Sequence, residues 1–180
     1  WGVHHFMFYP DLEKVRAQDE VCIRIDSGCL SGMVLGDTTC DCKEQLDIAK
    51  RRCVENGSGL VIEIPGHDGR GWGDLKMANQ RLMDELGVTT VEAARMFYGQ
   101  DSIIDQRSYD ECVTILLALG FGNGQTFELS TNNPSKAQAF VDNGMHVSHT
   151  KSIVPEKPNS TVQKNLDAKS LAWNHNFLMF

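Results

Sequence analysis

No stretch of this 180-residue chain approaches the run of about 20 apolar residues that a helix needs to span a bilayer, and no secretory-signal pattern is visible. A membrane-spanning class is therefore set aside. There is no internal repeat and no low-complexity tract, which removes solenoids and arrays. A basic excess is also missing: 17 Lys and Arg face 24 Asp and Glu, for a net charge of -7. Phosphate backbones select for basic faces, so a general nucleic-acid binder is excluded. A small anionic ligand is not, because a few cations suffice for a local positive pocket. The chain starts at Trp1 without an initiator Met, so the native N-terminus is expected to lie upstream.

The composition that is present is ordinary for a globular protein, 41% hydrophobic and 23% charged. The length suits one domain, 1–180, with a core that needs no staples. Six cysteines are unevenly placed, three of them between Cys29 and Cys42. That is not a secreted disulfide framework; in a reducing compartment such crowding favours metal binding or catalysis. A cytoplasmic protein is expected, with no membrane partner.

Strand and helix patterns alternate. Val21–Ile25 alternates apolar and polar types and predicts a strand with one face buried. Met33–Leu35 is a second short strand candidate, and Leu60–Ile64 a third, ended by Pro65-Gly66. Helical spacing predicts helices over Glu44–Val54, Leu75–Leu86 and Tyr109–Leu119, with Gly57, Gly87 and Gly120 as stops. Thr126–Leu129 reads as a strand, and Pro134–Val141 as a helix with Pro in its first turn. The segment His149–Ser160, holding Pro155 and Pro158, reads as a loop before a last helix over Val162–Trp173. The pattern predicts an α/β (α+β) fold, a single layered domain with a mixed sheet flanked by helices.

Cys29 and the Cys40-Asp-Cys42 pair offer three thiolates from a loop and a helix start. Zinc favours cysteine sulfur, and a catalytic site keeps three protein ligands with the fourth position open for water. Such a water loses its proton near neutral pH. A helix beginning near Cys42 would favour the thiolate form. Spacing alone leaves open that these are small buried hydrophobes. It also leaves open a structural zinc with a fourth ligand from His4, His5, His67 or His175. Cys22, Cys53 and Cys112 lie in apolar periodic segments and read as core.

These segments resemble the GTP cyclohydrolase II family. The resemblance rests on Arg24-Ile-Asp-Ser-Gly-Cys-Leu-Ser-Gly32, Thr39-Cys-Asp-Cys-Lys-Glu-Gln-Leu46, Gly69-Arg-Gly71 and Thr90-Val-Glu-Ala93. It continues through Asp105-Gln-Arg107, Thr131-Asn-Asn-Pro-Ser-Lys136 and Leu166-Asp-Ala-Lys169. It is colinear over nearly the whole chain. It implies a homodimeric cyclohydrolase with catalytic Zn2+ on Cys29, Cys40 and Cys42; Mg2+ is a companion expected of any triphosphate. It places Asp105 and Arg107 in the chemistry at the phosphate end, Asp105 as proton acceptor and Arg107 as attacker of the α-phosphate with pyrophosphate released. Nucleotide contacts fall on Arg24, Gln45, Arg70, Thr90, Thr131 and Lys136, with Ile25, Asp26, Ser27, Gly28, Asp68 and Gly69 in the same substrate-binding segments. Two guanidinium forks and one compact ammonium suit a triphosphate. A helix opening after Thr131 suits an anion. Taken singly, each is a solvated surface charge, and Asp105 with Arg107 a plain ion pair.

The departures from the family cluster where the base would sit. Where the family reads His-Ser-Glu-Cys, this chain has Asp26-Ser27-Gly28-Cys29, and its Glu-Gly-Arg is here Asp68-Gly69-Arg70. A Tyr used in ring opening corresponds, by an ungapped count, to Arg81. A carboxylate suits the donor-rich edge of guanine. Its loss at Gly28 points to the divergent uracil-catabolism branch of the family, with Arg81 stabilising the oxyanion of an attacked ring carbonyl. Zinc-dependent opening of a uracil nucleotide, UTP, is thus the expectation. The alternatives are GTP cyclohydrolase II activity releasing formate and pyrophosphate for riboflavin synthesis, and a silent nucleotide-binding regulator.

Overall fold

The computed structural model describes residues 2–99, 104–173 and 175. Its sheet is built on β2 (Glu20–Asp26), a strand made from β-branched Val and Ile. Strands β1 (His5–Tyr9), β3 (Gly59–Glu63), β4 (Thr126–Ser130) and β5 (His146–Lys151) complete the order β1-β3-β2-β4-β5 among the described residues. β1 runs antiparallel to β3, and the other pairings are parallel. The predicted mixed sheet with flanking helices is what the chain forms.

Central β2 and β3 are covered on both faces, as parallel strands are. Val21, Ile23, Ile25, Leu60 and Ile62 point into the main core, where they meet Cys112, Val113, Leu116 and Phe140. These last come from α6 (Asp110–Ala118) and α7 (Pro134–Asp142). Cys22, Cys53 and Val61 pack on the other face under α3 (Cys42–Glu55). The expectation of one buried face on Val21–Ile25 is corrected here. Arg24 and Asp26 share the second face with Cys22 and are as buried as the aliphatics, because that face lines a cleft instead of meeting water.

Met33–Leu35 is not a strand. Cys29 starts a single helical turn, α2 (Leu30–Met33), and Val34 and Leu35 beyond it are each 71% exposed. The loop expected from His149 is also shortened, since His149–Lys151 belong to β5. Four elements lay outside the sequence reading: β1, β5, the short α1 (Leu12–Arg16) and α5 (Thr90–Tyr98). α5 starts with a complete capping box, the Thr89 hydroxyl accepting from Glu92 N–H and the Glu92 carboxylate accepting from Thr89 N–H. That Thr-x-x-Glu spacing is a legible helix start. With α4 (Lys76–Leu86) and α8 (Ser160–Trp173), α5 forms a helical layer beyond the C-terminal ends of β2, β3 and β4. No helix among the described residues is long and apolar enough to cross a membrane.

Candidate functional site

In a parallel sheet the loops leaving the strands' C-terminal ends meet in one crevice. Here β2 runs into Ser27–Cys29, β3 into His67–Arg70, and β4 into Thr131–Lys136, and all three face one cleft. Thiols gather at one part of its lining, cations at another.

Cys29 caps α2 and Cys42 opens α3, while Cys40 lies between them. The three Sγ atoms lie within 4.8 Å of one another, with Cys29 and Cys40 3.8 Å apart. The loop joining them is tied by Asp37, which accepts from Ser31 Oγ at 3.0 Å and from Thr39 N–H at 2.8 Å. No sequence pattern had marked Asp37. The neighbouring Cys40 and Cys42 thiols, and then the Lys76 ammonium, hold the Cys29 thiol far below its ordinary pKa despite burial. The other two thiols shift the opposite way, Cys40 pushed up to about 11 and Cys42 held well above its ordinary value.

Among the described residues, no His, Asp, Glu or further Cys joins this group. The seat is fitted to an ion by a glycine. A β-carbon on Gly32 would overlap Cys40 Sγ and stand 3.3 Å from Cys29 Sγ. A three-sulfur donor set with that space beside it fits a thiophilic divalent cation with one coordination position left over.

The cationic part is built from inside the fold. Arg24 is 5% exposed; its Nε and Nη2 donate to Asp26 Oδ2 at 3.3 and 3.0 Å, and Nη2 also to Gln45 Oε1 at 2.9 Å. Asp26 Oδ1 accepts from Gly28 N–H. Lys136, in the first turn of α7, is also 5% exposed and donates to the Ile25 carbonyl at 2.7 Å. Burial, and then the charges of Arg24 and Arg107, pull its ammonium well below the ordinary pKa. Arg70 is lowered to about 10 by burial and by Arg107. Its backbone is left-handed, φ 63°, directly after Gly69 at φ 56°, a strained turn of the kind that collects at functional sites. Its Nη2 donates to Thr90 Oγ1 at 2.7 Å. Thr131 Oγ1 accepts from Asn133 N–H, shaping the turn into α7. Asp26 offsets Arg24 within this group, and the cations gathered along one wall still suit an anionic ligand.

Arg107 chelates Asp105 through Nε at 2.8 Å and through Nη2, and reaches Ser27 Oγ at 3.5 Å. Burial opposes both charges, yet the pair wins: the Asp105 carboxyl is held below its usual range and the Arg107 guanidinium above. Asp105 stands behind Arg107, which is the member that lines the cleft.

Arg81 requires a correction. It does not line the cleft; its side chain is 78% exposed and pairs with Glu85 one turn on, at 2.6 Å. On α4 the cleft-lining positions are Lys76, Met77, Asn79, Gln80 and Met83, and Arg81 is not among them. An ungapped count finds the position but not its face. The cation beside the sulfurs is Lys76, which donates to Cys29 Sγ at 3.0 Å and to Asp68 Oδ1 at 2.8 Å. His67 also lines the cleft, edge-on to Tyr109 at 5.1 Å between ring centroids. Burial, then the charges of Arg107 and Lys136, lowers its pKa to about 4, so it is neutral.

Comparison with known proteins identifies relatives of the chain. The sequence profile described as GTP cyclohydrolase II matches residues 3–152. The riboflavin biosynthesis protein RibBA of Chlamydia muridarum is 34% identical over 146 residues, 81% of this chain and 32% of that protein. The protein of the same name from Mycobacterium ulcerans is 36% identical over 129 residues, 72% of this chain and 29% of its own length. The chain thus spans about a third of the length of the curated relatives it matches.

Proposed function

This chain belongs to the GTP cyclohydrolase II family, hydrolases that open the ring of a nucleotide base, and on that premise we propose that it opens the base of GTP with release of formate and pyrophosphate. The observation that carries this reading is the pairing of a three-thiol metal seat with a buried cluster of cations in one cleft. Zinc is the metal that suits the donor set, and it supplies a Lewis acid and a water acidified toward neutrality.

The chain's own residues do the rest. Arg24, Arg70 and Lys136 bind the phosphates, relieving their mutual repulsion when the anion arrives. Arg107, chelated by Asp105, attacks the α-phosphate in this reading: a phosphorus–nitrogen bond forms as the bond to the leaving pyrophosphate breaks, Asp105 takes up the guanidinium proton, and water later frees the nucleotide from Arg107. Gln45 and Asp26 hold Arg24 in place. Mg2+ on the phosphates and assembly as a homodimer belong to the same reading, and the names of the relatives support a role in riboflavin biosynthesis.

A second reading, a uracil nucleotide such as UTP, is favoured by one feature. Gly28 occupies the position of a family carboxylate, its backbone is left-handed at φ 61°, and a β-carbon there would stand 2.6 Å from Pro65 Cα. No acidic side chain can reach the base from that point. The sequence departures alone favour uracil, whereas family and relatives favour GTP, which is why GTP leads. Zinc-loaded protein incubated with a panel of nucleoside triphosphates decides between them. Formate with pyrophosphate from GTP supports the first reading. Loss of uracil absorbance from UTP without formate supports the second, and binding without turnover would leave a nucleotide-binding regulator.

A further inference from the structure

A lysine on a helix surface is by default a solvated charge. Lys76 is not placed that way. Its side chain is 18% exposed, and its ammonium lies between Cys29 Sγ at 3.0 Å and Asp68 Oδ1 at 2.8 Å. The stem is seated as well as the head. A β-carbon on Gly69 would stand 2.9 Å from Lys76 Cβ and 3.7 Å from its Cγ and Cδ, so the glycine leaves the lane along which the lysine reaches inward. Asp68 closes the circuit, because its other oxygen accepts from Leu30 N–H at 3.1 Å, the residue directly after Cys29. Sulfur, ammonium, carboxylate and backbone amide thus form one ring around a single metal ligand.

From this we infer that Lys76 is a positioning residue of the metal centre, which fixes the Cys29 side chain and offsets part of the negative charge of its sulfur. The inference rests on the three-thiolate reading of Cys29, Cys40 and Cys42. Three thiolates around a divalent cation carry one net negative charge. A hydrogen bond from an ammonium to one sulfur returns the site toward neutrality and weakens that sulfur as a donor. A less generous donor set leaves the cation a stronger Lewis acid. Arg81, the cation the sequence pointed to, is too far out on the helix to do this; Lys76, at the first residue of α4, is the one that reaches.

The test substitutes Co2+ for the native ion and follows the sulfur-to-cobalt charge-transfer band, which a merely structural lysine would not move. In the parent protein one cobalt per chain with such a band is expected. In K76M the band is expected at longer wavelength, because the Cys29 sulfur becomes more electron-rich, and K76R, which keeps a cationic donor, is expected to move it back. A parent protein without the band overturns the metal reading itself. A parent band with an unshifted K76M band overturns only the role of Lys76. A folded K76M that loses cobalt, with uptake restored in K76R, supports the positioning role. Should K76M fail to fold, K76Q takes its place; collapse of both counts against the inference, since a charge that tunes one sulfur is not needed for folding.

Discussion

A β-carbon on Gly32 would overlap the Sγ of Cys40. Gly32 is buried inside the turn of α2 that Cys29 caps, so the space beside the thiols is kept by the absence of one methyl group. Gly32 carries no left-handed backbone, so G32A imposes no φ strain and acts on the sulfur alone. Metal affinity is expected to fall about 10–100-fold, the range seen when groups that orient ligands are disturbed. The metal-free fold should lose no more than about 1–3 kcal/mol, the usual cost of one excess methyl in a packed region. Chelator competition and urea titration of the metal-free protein measure the two effects separately.

Lys136 carries a second, opposite coupling of stability and binding. It is buried against Arg24 and Arg107, both of which disfavour its charge. Replacing it by Met removes that repulsion, and the hydrophobic stem keeps its packing. K136M is therefore expected to melt no lower than the parent. Its affinity for a nucleoside triphosphate should fall about tenfold or more, the worth of one charge-assisted hydrogen bond at about 1.5–3 kcal/mol. Calorimetric titration with a non-hydrolysable triphosphate, beside a thermal melt, checks both. A lower Tm with unchanged affinity would show Lys136 to be structural.

Much of this site was readable in the sequence because its chemistry is concentrated in side-chain identity. Cys29, Cys40, Cys42, Arg24, Arg70, Arg107, Thr131 and Lys136 all line the cleft as the motifs implied. The sheet was readable where β-branched residues run together, as in β2 and β3. Failures came where direction matters more than identity. Met33-Val-Leu35 has strand-like composition, but the Met33 and Val34 amides close a helical turn on the Cys29 and Leu30 carbonyls, and the apolar pair Val34 and Leu35 is left outside. Lys76 and Arg81 are equivalent letters on one helix, separated only by the face each presents. β1 escaped because its pairing with β3 is antiparallel and long-range, a contact no local pattern encodes.

His67 makes the fold sensitive to acid. Its pKa is about 4 in the folded protein against about 6.5 for an ordinary histidine. Above pH 6.5 both folded and unfolded states are neutral at this residue, and its contribution is fully present. As the pH falls below 6.5 the unfolded chain takes up a proton that the folded protein refuses until about 4. Stability is lost across that window, by at most about 3 kcal/mol at 1.36 kcal/mol per unit. Urea unfolding at intervals from pH 7.5 to 4 should show the slope, and H67Q, which has no proton to gain, should flatten this share of it. An unchanged slope in H67Q would place the acid sensitivity elsewhere.

Gly28 and Pro65 decide whether the base preference can be changed by restoring one side chain. If a missing carboxylate were all that separates this cleft from one built for guanine, G28E would raise turnover of GTP. The backbone argues otherwise. Position 28 sits at φ 61° with Pro65 Cα in the way of any β-carbon. A left-handed non-glycine costs about 1–2 kcal/mol before the clash is counted. G28E is expected to lower Tm by about 5 °C or more, at about 2–4 °C per kcal/mol for a chain of this size, and to give no gain with GTP. The loop would have to withdraw from Pro65 to accept the new residue, and the carboxylate would move out with it. A G28E variant as stable as its parent and faster with GTP would show that this loop is free to reshape and that the side chain alone sets the choice of base.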